Sequence, residues 1–222
     1  MVRGDGWCPQ RRNGVIDVGG CGYCSGGRGA QATALNRASR QNGQVSPNTG
    51  DIVRRDGMDL LDRLLGHDTW TTRQILLRCR EVESELHRPF DVGHETLHAT
   101  LVHMIGNVRV WTDVMRGAPV ERTGSSWNDL WLAELSERHE TASADFVALA
   151  RWVRDGDRWD ERWLDVLDDP PVEKTYGGAI AHVLTHNMHH RGELLHMLAR
   201  FGLPDLPEGD ALSWEVANLA SG

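Results

Sequence analysis

A chain of 222 residues suits one ordinary domain with some excess, and its net charge of −8 and pI near 5.7 argue against a nucleic-acid partner, which needs a basic face. No apolar run approaches the roughly 20 residues of a membrane span, and Met1–Gly29 carries no signal-peptide core, so a membrane is not an expected partner. Four cysteines, Cys8, Cys21, Cys24 and Cys79, are too few and too unevenly placed for a disulfide scaffold, which makes a reducing cytoplasm the expected location.

Residues 1–57 read differently from the remainder. Eleven of the 24 glycines lie between Gly4 and Gly50, apolar periodicity is missing, and eight Arg against four Asp give this segment +4, leaving −12 for the rest. Such a composition buries too little apolar surface to offset its ordering entropy, so the segment is expected to be a disordered extension. Cys21-Gly-Tyr-Cys24 lacks the second C-x-x-C or histidine pair that a zinc site requires. A second reading of the segment is that translation begins at or near Met58.

From Met58 the pattern is helical, and residues 58–222 are read as one domain. Leu61, Leu64, Leu65, Trp70, Ile75 and Leu76 mark the first helix. After Pro89 and Gly93 a second runs over His94–Met115, with Leu97, Leu101, Met104, Ile105, Val108 and Trp111 on its apolar stripe, until Gly117 and Pro119 end it. A third spans Asn128–Val153, with Leu130, Leu132, Leu135, Phe146, Leu149 and Trp152 as core candidates. Asp168-Asp-Pro-Pro leads into the fourth, Gly178–Arg200, which Gly202 and Pro204 stop, and Ala211–Leu219 adds a last turn or two. Strand-like alternation is scarce, so the expected fold is an all-α four-helix bundle.

Five of the eleven histidines fall in Ala181–His196, A-H-V-L-T-H-N-M-H-H-R-G-E-L-L-H. On a helix, residues four apart are offset by about 40°, so His186 and His190 direct both imidazoles at one point, the pairing that two-point metal ligation needs. No Glu follows His186, so this is not the H-E-x-x-H arrangement, and a third ligand must come from elsewhere. His103, on the apolar stripe of the second helix, is the natural one. Three neutral imidazoles leave an open position on a bound metal, facing a pocket that Trp70, Trp111 or both would line. His94 and His98 rank lower, and His67, His87 and His139 stand in polar contexts read as exposed. His182 is a candidate support behind the ligands or a pocket wall, and His189 points about 60° to one side.

These residues carry a resemblance. Thr100-Leu-Val-His103-Met-Ile, His186-Asn-Met-His-His190-Arg191-Gly192, Leu194-Leu-x-x-Leu198 with Phe201-Gly202, and His67-Asp-Thr-Trp70 resemble the motifs of the DinB-like (DinB/YfiT) superfamily over about three quarters of the chain. The resemblance implies a divalent metal, nickel or zinc, on His103, His186 and His190, and a homodimer. Asn107 departs from it, standing where many relatives carry an acid. It further implies an S-transferase that activates a low-molecular-weight thiol of the bacillithiol or mycothiol type toward an electrophile. A thiol held by a metal loses its proton near neutral pH, and the thiolate is the nucleophile. Arg191, beside a ligand, then becomes the residue to hold a carboxylate of the thiol, ahead of Arg109. Two alternatives stand beside this: a metal-dependent hydrolase using bound hydroxide, with Glu193 the nearby acid, or a non-catalytic, stress-linked metal-binding dimer.

Overall fold

The computed structural model describes residues 58–120 and 125–219, and both the proposed N-terminal extension and its C-x-x-C lie outside them. The described chain is mostly helical with little strand. Helix α1 (Leu60–Cys79) starts where the Asp59 carboxylate accepts the Asp62 N–H at 2.8 Å, an N-cap that satisfies one of the four unpaired donors of a helix start. It runs on into a 3₁₀ turn, Arg80–Glu85, in which Val82 leaves helical geometry. Helix α2 (Leu97–Met115) begins three residues later than the sequence suggests. Gly93 (φ +61°) and Glu95 (φ +67°) are both left-handed, so no helix can pass through them, and Thr96 Oγ1 caps the start by accepting from Ala99 N–H. Gly117, at φ +65°, stops α2 in the manner of a helix C-cap.

The expected third helix is divided into a single turn, α3 (Ser125–Asn128), and a long α4 (Leu132–Asp155). The break is fixed by Glu134, whose carboxylate reaches back to accept the Trp131 N–H at 2.8 Å. A second departure follows. Strand β1 (Arg162–Asp165) pairs antiparallel with β2 (Val172–Thr175), with Arg162 opposite Thr175 and Asp165 opposite Val172. The hairpin was not legible because only Trp163 and Asp165 of β1 are buried, and one of that pair is charged. Asp165 is held by Lys174 and by the Leu167 N–H. Helix α5 (Tyr176–Ala199) starts at once after β2, capped by Thr175 Oγ1, and Gly202 (φ +73°) ends it. Helix α6 (Ala211–Leu219) is capped by Asp210 and packs on α1. Trp214 lies so near Gly66 that a β-carbon there would fall 2.5 Å from the indole.

Helix α1 packs against α4 and α5, and α2 packs against the same two. Their buried residues form two apolar clusters. One holds Ile75, Leu76, Leu101, Met104, Ile105, Leu132, Leu135, Leu194 and Leu198; the other holds Leu65, Val108, Trp111, Phe146, Leu149, Ile180 and Val183. Along each long helix a buried polar group stands between the two clusters: Asp68 and Thr72 on α1, Asn107 on α2, His139 on α4, and Asn187, His190 and Arg191 on α5. A polar layer therefore crosses the core, and the histidine motif sits in it. Two expected core residues lie outside: Leu64 and Trp152 are exposed, the latter with Tyr176 edge-on to its ring and the Arg158 guanidinium over it.

Candidate metal centre

His186 and His190 are one turn apart on α5, and His103 faces them from α2. His186 Nε2 lies 3.1 Å from His103 Nε2 and 3.2 Å from His190 Nε2. Ring centroids are 5.0 Å apart for His103–His186, 4.7 Å for His103–His190 and 4.4 Å for His186–His190. Two imidazoles on one ion at about 2.0–2.1 Å would hold their centroids roughly 4.5–5 Å apart, so the rings are already spaced as ligands. Burial, then the neighbouring imidazoles, hold His103 down to about 3 and His186 down to about 4, which keeps both neutral and ligand-competent across the physiological range. Neutral rings carry one N–H each, so converging nitrogens set lone pairs against one another unless a proton or a cation lies between them. The donor set therefore fits a borderline divalent ion such as zinc or nickel.

Two neighbours fix which nitrogen each ring presents. His190 Nδ1–H donates to Glu193 Oε2 at 2.7 Å, leaving the Nε2 lone pair directed at the cluster. Glu193 also meets His189 Nε2 at 3.0 Å, so this carboxylate is engaged by two imidazoles and is not poised as a base. At His186 the Asn107 amide stands 3.2 Å from Nδ1. As placed, its Nδ2–H donates to Nδ1. Ligation through Nε2 calls for the amide turned over, so that its oxygen accepts from Nδ1–H. In that orientation Asn107 can accept from His186 and orient the ring.

His94 joins the same cluster. Its ring is 3.9 Å from His103 and 5.4 Å from His190, and one ligand nitrogen each of His94, His103 and His190 lie within 4.8 Å of one another. Sequence spacing ranked it low because it stands nine residues before His103. The turn between two left-handed residues, which no helical periodicity encodes, brings it back over the site. His98 is buried on the Leu130 carbonyl and beside His87. His182 packs at a tilt against Trp111, centroids 4.9 Å apart, and stands 5.5 Å from His186, so that pair forms the wall beside the cluster. His189 is exposed.

Three expectations change. His67 and His139, read as exposed, are buried. His67 Nε2 meets the Gly209 carbonyl, and His139 lies between the Thr69 carbonyl and Ser143 Oγ. Trp70 lies on the far side of α1, in a recess with Arg73, Val147, Arg151 and Trp214, and does not wall the histidines. Arg191, expected to hold a carboxylate of a ligand, is 3 % exposed and pairs with Asp68 of α1, which also accepts from Asn187 Nδ2 at 3.1 Å. The reason is rotational: one residue after His190 is about 100° around α5, so with His190 on α2 the guanidinium faces α1. Arg109 is taken by Asp113 and Asp145.

A search of the curated proteins found no match. The family model described as DinB family matches residues 58–211, a span that contains α1 to α5, the convergent histidines and the start of α6. The chain belongs to the DinB family.

Proposed function

We propose that the chain binds one divalent ion, nickel or zinc, through His103, His186 and His190 at the middle of a four-helix bundle, and uses it in S-transfer from a low-molecular-weight thiol of the bacillithiol or mycothiol type. The observation that carries this is the convergence of three Nε2 atoms, 3.1 and 3.2 Å from a common member. When bound, such an ion lowers the proton affinity of a thiol so that the thiolate is present near neutral pH.

The chain's own residues do the rest. His103, His186 and His190 hold the position; Glu193 and Asn107 orient the rings; Trp111 and His182 bound one side. None of the described residues can supply the thiol. Among the described residues the free cysteine is Cys79, fully buried, its thiol pushed up to about 12 by burial, so it cannot serve as a nucleophile. With Arg191 committed to Asp68, a carboxylate on the thiol would need another cation. The engagement of Glu193 by His189 and His190 weighs against the hydrolase alternative, which needs a free base.

The test is metal analysis of the protein as isolated, followed by conjugation of a bimane-type electrophile with each candidate thiol. Thiol-specific conjugation at one metal per chain is the expected result; turnover without thiol points to hydrolysis, and tight metal without turnover to a binding protein. The homodimer is part of the same proposal, and sedimentation at micromolar concentration checks it. No helix among the described residues is long and apolar enough to cross a membrane. The cytoplasm remains the proposed location.

A further inference from the structure

Three candidate ligands, His103, His186 and His190, come from helices, and the turn that precedes α2 lies beside them. There His94 lies against His103, with a nitrogen inside the 4.8 Å group that contains His103 and His190. The turn is built to keep it there. Phe90 N–H donates to the Glu95 carbonyl, Glu95 N–H to Val92, and His94 N–H to Thr100 Oγ1. Gly93 suits its place through its φ of +61°, and it packs on α5: a β-carbon would fall 2.8 Å from Glu193 Oε2 and 3.2 Å from Met197 Cε. The carboxylate that orients His190 is therefore in contact with the turn that carries His94.

We propose that His94 is the fourth protein ligand, a turn-borne imidazole that closes the coordination sphere and gives way to an incoming thiolate. This rests on the metal reading above, and it assigns the residue that decides whether the site is closed or open. The spacing supports it. The His94–His190 centroid distance of 5.4 Å is within about half an ångström of the spacing of two imidazoles on one ion, and the 3.9 Å separation from His103 requires the His94 ring to swing outward by about an ångström. His94 is also the one member of the four borne by irregular backbone, flanked by Gly93 and Glu95 at φ +61° and +67°. Ligands on packed helices cannot leave without moving the core, whereas a turn residue can.

The experiment uses the full chain loaded with cobalt(II), a spectroscopic stand-in for zinc. X-ray absorption should count four imidazoles in the wild type, a measurement that needs no variant. His94→Ala, with a circular-dichroism check and His94→Gln as a second variant, should still take up one cobalt, about tenfold or more weakly, with three imidazoles. Titration with 2-mercaptoethanol, followed by the sulfur-to-cobalt charge-transfer band, should show thiol binding about tenfold tighter to His94→Ala than to the wild type, because the resting closure is gone. Three imidazoles in the wild type, or unchanged cobalt affinity in both variants, overturns the ligand; equal thiol affinity overturns the exchange. If His103→Ala abolishes cobalt binding while both His94 variants match the wild type, this proposal falls and the metal reading stands. If the wild type takes up no cobalt at all, both fall.

Discussion

At the scale of single residues, the histidines divide by what their second nitrogen touches. His190 and His186 have that nitrogen on Glu193 and Asn107, so removing either partner should loosen the ring without deleting a ligand. Glu193→Gln and Asn107→Leu are expected to weaken metal binding by about 10–100-fold, read by competition with a chromophoric chelator. Alanine at His103, His186 or His190 should cost more than either, and His189→Ala should change little. A His189 variant as damaging as the other three would mean that the ion lies on the outer face of α5. His139 gives a prediction in pH. Burial lowers its proton affinity below the ordinary histidine value, and its neutral ring is satisfied on both sides, Nε2–H donating to Thr69 O and Nδ1 accepting from Ser143. The unfolded chain therefore takes up a proton near pH 6.5 that the folded chain refuses. Stability is full above that pH and falls as the pH drops below it. Urea midpoints at pH 7.5 and 5.5 should differ less for His139→Gln than for the wild type, while His103 and His186, shifted the same way, keep part of the slope in both.

At the scale of elements, the contact between α1 and α5 depends on a buried charge pair. Asp68 and Arg191 are 5 % and 3 % exposed, and removing one partner leaves the other charged and unpaired inside the core. Asp68→Leu or Arg191→Met alone should each cost about 3–5 kcal/mol, whereas the two combined should recover much of that loss. Thermal midpoints of the two single variants and the double variant decide it, and additivity of the singles would refute the coupling. Three buried atoms in this layer, Thr71 Oγ1, Asn187 Oδ1 and Arg191 Nε, have no protein partner among the described residues, so the pair is not fully satisfied as it stands. The turn before α2 gives a second case. Gly93→Ala should destabilise by about 1–2 kcal/mol through its positive φ and should also displace Glu193. A chemical-denaturation curve coincident with the wild type would show that the turn adapts freely.

For the whole molecule, the question is whether an ion would be structural or functional. The two apolar clusters flank the polar layer, and Ile75, Leu97, Leu101, Val183, Leu194 and Leu198 are all fully buried within them. Burying one such side chain is worth about 1.5–3 kcal/mol, so the clusters carry the fold. Chelation should leave the far-ultraviolet circular dichroism largely intact while abolishing any thiol-dependent activity. Loss of the helical signal on chelation would mark the ion as structural and remove the transferase reading.

What the sequence determined by itself is whatever depends on local periodicity and local covalent limits. Apolar residues at helical spacing give α1, α2, α4 and α5; glycines at 117 and 202 end two of them; and the four-residue spacing of His186 and His190 sets one pair of rings together before any packing is known. His103 could be matched to them because it sits on an apolar stripe that must face the core. What only the tertiary structure decided depends on neighbours distant in the chain. Rotation of α5 against its partners commits Arg191 to Asp68, 123 residues away, and a side chain alone does not say which helix it will meet. The burial of His67 and His139 follows from covering by Gly209 and Thr69, whose approach no local pattern announces. The hairpin at 162–175 is too short, and too exposed on one face, to show alternation. His94 reaches the histidine cluster because left-handed residues stand on either side of it, a path set by hydrogen bonds to Phe90, Val92 and Thr100 rather than by any periodicity a reader of the sequence can count.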